Sequence, residues 1–475
     1  MLRLWQDECI NIALLKYQQG QSNFLAMATP GAGKTWMAAH LASRLFELDK
    51  IDLVVCFAPS INVTNSFQEN LEKVTEKRMN GRMGSSGQVM TYHHLTFLSG
   101  SFWKIFQENR VFVIFDEIHH CSGQDINLSN AWGERILINI RSKAAYTLAL
   151  SGTPWRSDKL PIALARYSGD PKRLECDYIY PLAQAVRDGV CRIPKIVAID
   201  NDNIRYTNTS GGLTHHNTLR ELLSDTNTTY ADLLYNESII TFTLQQAIKR
   251  LQSIRQYNHR AAGLIVASSI QHAHWIFNIL AHQLGQSAMI VTHQYSESHD
   301  IIKNFEDSHS QWIIAIGMVS EGTNIPRLQV CCYLSRIKTE LYFRQVLGRI
   351  VRAKEEPCSY AYLYTLAEEN LLEYARRIGD DLPEHLATVE FQRITEETTL
   401  QEDILDNPQH ELGTTVPTQQ PSNDTEELVT KPLIEFTDKD WDESLSTQIP
   451  SSEISLFGQF FEELITLQYA FNKVS

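Results

Sequence analysis

The sequence predicts an α/β protein of two tandem domains, with a helical connector between them and an acidic tail after them. Short apolar runs of strand length alternate with helical stretches twice along the chain. A glycine-rich loop separates the first of these runs from the next helix. Residues 367–475 carry 24 acidic and 6 basic side chains, whereas residues 1–366 carry 32 acidic and 36 basic ones. The length of 475 residues is enough for several domains.

The first domain is predicted to span residues 1–181. Its strand candidates are almost wholly apolar, as in Val111–Phe115, and such runs are typical of parallel strands covered by helices on both faces. The predicted strands are 24–28, 53–58, 88–91, 111–115 and 146–151.

The second domain is predicted to span residues 256–378 and repeats the alternation without repeating the sequence. Its predicted strands are 263–267, 288–292, 312–316, 329–334 and 359–364. Residues 182–255 are predicted to connect the two domains, with loops at 201–208 and 210–212. A helical insert is predicted from residue 217.

The tail is predicted in two parts. Residues 379–450 form an acidic linker, and Thr, Gln, Pro, Asp and Glu dominate it from residue 396, a composition typical of disorder. Residues 451–475 are predicted to form an amphipathic helix, because apolar residues recur at helical spacing and Ser451 and Ser452 are suitable caps.

Composition excludes two classes of protein. The chain has no run of 18 apolar residues, so a membrane-spanning helix is not expected, and its acidic start does not resemble a signal peptide. The eight cysteines form no C-x-x-C pair and show no zinc-ligand spacing with histidines. We expect a cytoplasmic protein with reduced cysteines and no membrane partner.

The strongest motif is Ala28-Thr-Pro-Gly-Ala-Gly-Lys-Thr35, between a predicted strand and a predicted helix. It is a phosphate-binding P-loop with alanine in place of the first glycine. Backbone N–H groups at a helix start bind phosphate oxygens, Lys34 would meet the β- and γ-phosphates of ATP, and Thr35 would hold Mg²⁺. The predicted nucleotide-binding residues of the loop are Thr29, Pro30, Gly31, Ala32, Gly33, Lys34 and Thr35.

A pair of acids follows the strand Val111–Phe115. Asp116 would bind Mg²⁺, mostly through water molecules, because an acid at the carboxyl end of a strand beside a P-loop is a Walker-B acid. Glu117 would orient and deprotonate the attacking water. The alternative, an ordinary acidic loop, is disfavoured once the P-loop is present.

The sequence Asp116-Glu-Ile-His119 resembles the second motif of superfamily 2 helicases of the DEAD/DEAH-box type. The other motifs of that superfamily follow in order over about residues 1–365. Their segments are 3–6, 58–60, 91–93, 148–156, 265–268, 318–326 and 345–352.

This resemblance implies two RecA-like lobes that close on ATP. It implies that Gln6 contacts adenine, and that Gln345, Arg349 and Arg352 of the second lobe complete the catalytic site with Lys34 and Asp116-Glu117. Gln345 would couple to His119. The residues implied to contact a nucleic-acid strand are Ser60, Thr91, Ser268, Ser320, Gly322 and Thr323.

Within the superfamily, residues 151–156 and 318–322 look most like the group that contains the helicase subunits of type III restriction enzymes. Two features depart from that group. Asn324 stands where the family often has aspartate, and no nuclease arrangement of acids and lysine follows the second lobe.

The resemblance implies an ATP-dependent translocase or helicase with DNA favoured over RNA, acting in DNA repair, restriction or phage defence. The alternative is a nucleic-acid-stimulated ATPase that works as a switch or loader within a complex and does not unwind. A non-catalytic scaffold is disfavoured, because the catalytic residues are intact. Trp155, Tyr92 and Phe343 lie beside motifs and are more compatible with packing than with base stacking.

Three interpretations of the tail stay open: an inert solubilising segment, an acidic mimic that occupies the nucleic-acid groove, or a tether with a docking helix. The phenylalanines between residues 457 and 471 favour docking. A protein partner or second copy is favoured over the chain's own body as the docking surface.

Overall fold

The computed structural model describes residues 2–122, 130–152, 161–168, 173–207, 212–292, 298–316, 325–353, 359–380, 389–394, 453–457 and 459–467. No helix in these ranges is long and apolar enough to cross a membrane.

The first lobe is built on a six-stranded, wholly parallel sheet with the strand order β3-β2-β4-β5-β1-β8. Its strands are β1 (Asn23–Ala28), β2 (Leu53–Ala58), β3 (Gly87–Thr91), β4 (Val111–Phe115), β5 (Tyr146–Ser151) and, after the short hairpin β6 (Arg166–Ser168) and β7 (Arg173–Glu175), β8 (Tyr178–Tyr180). Its helices are α1 (Leu4–Gln18), α2 (Lys34–Glu47), α3 (Ile61–Thr75), α4 (Gly100–Trp103), α5 (Ile105–Glu108), α6 (Ala131–Asn139) and α7 (Leu182–Arg187), with 3-10 turns at Tyr92–Thr96 and Ile118–His120.

Both faces of this sheet are buried. In β4, Phe112 and Ile114 pack on one side, while Val111, Val113 and Phe115 belong to a separate apolar cluster on the other. This double burial explains the continuous apolar runs, since a strand covered on both faces has no solvent side for polar residues. The five strands predicted for the first domain are confirmed.

The second lobe is built on an eight-stranded sheet with the order β13-β14-β12-β15-β16-β9-β19-β17. Its strands are β9 (Ile193–Asn201), β12 (Ala262–Ala267), β13 (Ala288–Val291), β14 (Trp312–Ala315), β15 (Leu328–Leu334), β16 (Tyr360–Leu366), β17 (Val389–Ile394) and β19 (Phe460–Leu467), while β10 (Ile204–Thr207), β11 (Leu213–His216) and β18 (Glu453–Leu456) form a small separate sheet. Its helices are α8 (Leu219–Asp225), α9 (Tyr230–Leu234), α10 (Glu237–Arg255), α11 (Ile270–Asn278) with a π turn at Ile279–Gln283, α12 (Ser298–Asp307), α13 (Glu340–Ile350) and α14 (Glu369–Asp380).

The five strands predicted for the second domain are confirmed as β12 to β16, and the helical insert is confirmed as α8 to α10. The predicted boundary at residue 256 is wrong, because β9 pairs in parallel with β16 inside the second sheet. Residues 201–208, predicted as a loop, contain β10. The segment predicted as a connector therefore supplies part of the second lobe.

The predicted C-terminal helix is also wrong. Residues 453–456 and 460–467 are strands that pair antiparallel with β10 and β9, respectively. The outer strand β17 lies within the predicted linker and pairs with β19. The apolar spacing fits a helix locally, but the edge of β9 offers a full ladder of backbone hydrogen bonds, and this pairing decides the structure. The described residues of this segment therefore dock on the chain's own body.

Candidate active site

The P-loop lies between β1 and α2, and its two glycines have backbone conformations that other residues rarely adopt. Gly31 has φ +86° and Gly33 has φ +97°. A Cβ atom on Gly33 would lie 2.8 Å from the Gln6 side-chain nitrogen. Helix α2 begins directly at Lys34, so its first free N–H groups lie at the loop, where a phosphate would be bound.

The N-terminal segment braces this loop. The Gln6 side-chain amide donates to the Gly33 carbonyl (2.9 Å), and its oxygen accepts from the Arg3 backbone N–H (2.8 Å). The Arg3 guanidinium donates to the Ala32 carbonyl (2.7 Å). Gln6 is only 2% exposed, and the adjacent Trp5 ring stacks on Tyr180 with ring centroids 4.7 Å apart. These contacts hold the loop; the contact of Gln6 with adenine stays a prediction.

The acid pair lies at the carboxyl end of β4, beside the P-loop. The Asp116 N–H donates to the Phe57 carbonyl (2.9 Å), and the Tyr92 hydroxyl donates to the Asp116 carbonyl (2.7 Å), which fixes the backbone where the strand ends. Glu117 then adopts a left-handed conformation, with φ +51°. The chain therefore leaves the extended conformation of the strand at Glu117, directly after Asp116.

Three groups surround the Glu117 carboxylate. Its Oε1 lies 3.3 Å from the Lys34 Nζ, and its Oε2 accepts from the Gly152 N–H (3.2 Å) and lies 3.4 Å from the His119 Nδ1. His119 Nδ1 also lies 3.0 Å from the Ser151 hydroxyl. Residues of three predicted motifs, the P-loop, the segment 116–119 and the segment 148–156, thus meet at or next to one carboxylate. Coupling of His119 to Gln345 stays a prediction.

The two acids have opposite electrostatic environments. Burial raises the pKa of Glu117, but Lys34, His119 and the Gly152 N–H outweigh it and lower the pKa to about 2. Burial, and then the negative charge of Glu117, raise the pKa of Asp116 to about 7.

The site fits a divalent cation. Asp116 is buried, and its Oδ1 has no hydrogen-bond partner among the described residues. A buried carboxylate oxygen of this kind is costly unless a cation or water binds it. Thr35, the other predicted Mg²⁺ ligand, is the second residue of α2 and is half-buried. Oxygen donors of this type suit Mg²⁺, which keeps several waters and takes further ligands from phosphates.

The second lobe packs directly on the P-loop. A Cβ atom on Gly348 would lie 2.4 Å from the Pro30 Cβ, and one on Gly31 would lie 2.6 Å from the Arg352 Cγ. Gln345 and Arg349 are four residues apart on α13, so they share one face of that helix. Burial raises the pKa of Asp116, and the positive charge of Arg349 opposes that rise. Burial lowers the pKa of Arg352, and the negative charges of Glu117 and Asp116 oppose that fall. The structure therefore brings the predicted arginines to the predicted acids.

Sequence reasoning missed Arg192, which holds this junction together. It is buried, and its guanidinium donates to the carbonyls of Leu328 (3.1 Å), Ile350 (3.2 Å) and Arg352. Its backbone N–H donates to the Val351 carbonyl (2.6 Å). An arginine within the apolar run Val190-Cys-Arg-Ile193 is the one signal that the sequence offers for it.

The three predicted strand-contacting residues that the structure describes, Ser60, Thr91 and Ser268, lie at the carboxyl ends of strands. Ser60 precedes α3 after β2, and its hydroxyl is buried without a partner among the described residues. Thr91 ends β3, and its hydroxyl lies 2.8 Å from His94 Nδ1. Ser268 follows β12, and its hydroxyl lies 2.9 Å from His272 Nδ1. Ser320, Gly322, Thr323 and Asn324 lie outside the described residues.

The aromatic residues beside the motifs are confirmed as packing residues where they are described. Tyr92 and Phe343 are fully buried, and Trp155 lies outside the described residues. Two other aromatic residues are exposed at the carboxyl edges, Phe97 after β3 and Tyr235 near the end of β12. Neither was found by sequence motifs.

Comparison with known proteins shows what the chain as a whole is similar to. Residues 1–156 match the family described as "Type III restriction enzyme, res subunit". An uncharacterised protein of Mycobacterium leprae is 32% identical over 392 residues, which cover 79% of this chain and 64% of that protein. The chain thus spans less than two thirds of this relative's length. The DNA 3'-5' translocase XPB2 of Sulfurisphaera tokodaii is 24% identical over 388 residues, covering 75% of this chain and 79% of that protein.

Solved structures share the fold at low identity. The type ISP restriction-modification enzyme LlaBIII, solved bound to DNA, has a TM-score of 0.53 at 14% identity and covers 81% of this chain and 30% of its own. A fragment assigned as the HsdR subunit of a type I restriction enzyme from Vibrio vulnificus has a TM-score of 0.54 at 15% identity, covering 80% of this chain and 67% of its own. The tandem arrangement of two RecA-like lobes is thereby confirmed.

Proposed function

We propose that the chain is a superfamily 2 helicase-like protein related to the helicase subunits of type III restriction enzymes, and that it hydrolyses ATP between its lobes and uses their closure to move along nucleic acid. The observation that carries the proposal is the Glu117 carboxylate, held between Lys34 and the Gly152 N–H beside the P-loop. Arg349 and Arg352 reach the same place from the other lobe.

The Lys34–Glu117 ion pair keeps the general base inactive until ATP is bound. While Lys34 neutralises Glu117, the carboxylate is a weak base, since a pKa of about 2 leaves it little affinity for a proton. Phosphate oxygens of ATP compete for Lys34. When Lys34 turns to them, Glu117 loses its strongest stabilising charge, and its pKa rises, so it becomes a better acceptor for the proton of the attacking water.

The remaining groups position the reaction. Asp116 and Thr35 would hold Mg²⁺, which neutralises charge on the β- and γ-phosphates when bound. The Gly152 N–H keeps the Glu117 carboxylate in place while Lys34 moves. Arg349 and Arg352 stabilise the negative charge that develops on the transferred phosphoryl group, so hydrolysis is fast only with both lobes in contact.

DNA is the nucleic acid that we favour as the substrate. The relative XPB2 is a DNA translocase by its printed name and aligns over most of both chains. Ser60, Thr91 and Ser268 at the two carboxyl edges would contact the strand by its backbone, so binding should weaken with rising salt. RNA is tested in parallel.

The test is Glu117→Gln, which keeps the shape and removes the base. We expect ATP binding to be retained and turnover to fall roughly 10²- to 10⁴-fold. The matched control is Glu69→Gln, an exposed glutamate on α3 that lies outside the site. Turnover in Glu117→Gln equal to the control would refute the assignment. A strand-displacement assay beside a DNA-stimulated ATPase assay separates a helicase from a switch that does not unwind.

A further inference from the structure

An exposed aromatic residue and an exposed cation lie together at the carboxyl edge of the second sheet. Tyr235, which follows α9, is 37% exposed. Its hydroxyl lies 2.9 Å from the Ser269 hydroxyl, and its ring packs on Trp275 at 6.0 Å and 22°. The guanidinium of Arg336 lies 5.5 Å from the ring centroid of Tyr235. We call Tyr235, Ser269, Trp275 and Arg336 the Tyr235 patch.

The ring of Tyr235 is held in place from behind. His272 lies 4.8 Å from it, between centroids, and is itself fully buried. A ring fixed by a hydroxyl contact and by packing on two other rings loses little conformational freedom when a ligand binds. Tyr235 is therefore suited to present a flat surface.

Arg336 is exposed and has no carboxylate within ion-pair distance among the described residues. Its neighbour Lys338, by contrast, pairs with Glu368 at 2.8 Å. A cation that only covers an aromatic ring is available to an incoming anion. If Arg336 turned to a phosphate, it would uncover the face of the Tyr235 ring.

The topology places this patch beside the predicted strand-contacting residues. Strand β12 lies between β14 and β15 and runs parallel to both. Ser268 and Ser269 follow β12, and Arg336 lies just beyond the end of β15, so both reach the same edge of the sheet.

We propose that the Tyr235 patch binds one unpaired nucleotide, with the base stacked on Tyr235 and a neighbouring phosphate bound by Arg336. The inference rests on the proposed function, since it requires nucleic acid to cross this edge. A base is free to stack on a protein ring only when it has left the duplex, so the patch makes the second lobe selective for a single strand.

The test measures binding of a labelled oligo(dT) of about 20 nucleotides, because stacking of a base on an aromatic side chain is sequence-tolerant. Tyr235→Leu should weaken this binding by roughly 5- to 100-fold. Tyr235→Phe should bind within about twofold of the wild type, since it keeps the ring and loses only the hydroxyl. The control is Tyr257→Leu, at a tyrosine just after α10 that is 76% exposed.

An abasic oligonucleotide of the same length and charge completes the design. Tyr235→Leu should leave its affinity unchanged, because no base is present to stack, whereas Arg336→Gln should weaken both oligonucleotides. Unstimulated ATPase and thermal unfolding check that each variant is folded.

The outcomes are distinct. A wild-type affinity for oligo(dT) in Tyr235→Leu overturns the inference and leaves the proposed function standing. An equal loss in Tyr235→Phe and Tyr235→Leu overturns it too, because the hydroxyl would then be a brace to Ser269. A wild-type protein that binds no nucleic acid overturns the proposed function and the inference with it.

Discussion

The two lobes share a parallel sheet at their centre but differ in how the chain assembles them. All six strands of the first sheet come from residues 23–180, a single stretch that runs ahead of the second lobe. The second sheet takes its central strands from residues 262–366, but also β9 from before them and β19 and β17 from the tail. The first lobe is local in sequence, and the second lobe is closed by distant segments.

The two lobes also differ in the residues that they contribute to the candidate active site. The first lobe holds the P-loop, Asp116 and Glu117, so it can carry most of the ATP site on its own. The second lobe brings Arg349 of α13 and Arg352, which follows α13, to that site, and Arg192 ties the end of α13 to β15 and to the chain between the lobes. A change in the strands that complete the second lobe should therefore affect catalysis by moving Arg349 and Arg352, while the P-loop, Asp116 and Glu117 stay intact.

The largest expected effect tests that division directly. Arg349→Ala should lower nucleic-acid-stimulated turnover by roughly 10³- to 10⁵-fold, because an arginine supplied from the second lobe stabilises the transition state. ATP binding should stay, since the first lobe supplies the P-loop. Lys303→Ala removes an exposed positive charge from the same lobe and serves as the control. Turnover near that of the control would mean that the first lobe works alone.

The second comparison concerns how the stability of each lobe depends on pH. His272 lies within the second lobe, and burial lowers its pKa from 6.5 to about 4. The unfolded chain therefore takes up a proton that the folded lobe excludes. Stability is lost as pH falls from about 6.5 to about 4, by about 3 kcal/mol at the low end.

The free energy of unfolding, measured with urea at about pH 6.5 and about pH 4, checks this loss of stability. His272→Gln should flatten the pH dependence, whereas His259→Gln, at an exposed histidine in the same lobe, should leave it as in the wild type. Equal pH dependence in His272→Gln and the wild type would contradict the assignment. In the first lobe, the Arg110 guanidinium lowers the pKa of Asp52 to about 2, so this pair changes only in stronger acid.

Sequence alone predicted the local parts of this molecule well. The strands of both sheet centres are continuous apolar runs, so their burial on two faces leaves a direct trace in the composition. The P-loop and the acid pair were also found, since their chemistry needs fixed residue types at fixed spacing. The resemblance to superfamily 2 helicases implied the approach of Arg349 from the second lobe, whereas the contact of Glu117 with the Gly152 N–H was not predicted.

What the sequence did not predict depends on partners far along the chain. The strand β19 has apolar spacing that fits a helix equally well, and only the free edge of β9 decides between them. The bracing roles of Arg3 and Arg192 are hydrogen bonds to carbonyls that carry no side-chain signal. Tyr235 lies outside every motif, and its place beside Ser269 depends on a hydroxyl contact between segments that are distant in the sequence.

The smallest expected effect asks whether the tail closes the second lobe through specific packing. Phe460 begins β19, and its ring stacks on Phe242 of α10 with centroids 4.6 Å apart and an angle of 16°. Phe457, three residues earlier, is 59% exposed and lies against Arg205. The two phenylalanines are thus a matched pair on the same segment.

Phe460→Ala should destabilise the second lobe by about 1–2 kcal/mol, less than a fully buried phenylalanine, because the ring is half-buried. Phe457→Ala should cost only about 0.5 kcal/mol, since an exposed ring over an arginine contributes little. Urea unfolding followed by hydrogen exchange in β9 measures both, as β9 is the strand that β19 covers. Because β19 is held by backbone pairing as well as by this ring, the exchange of β9 amides should rise in Phe460→Ala without reaching that of an open edge. Equal protection in the two variants would mean that the ladder alone holds the segment and the ring adds nothing.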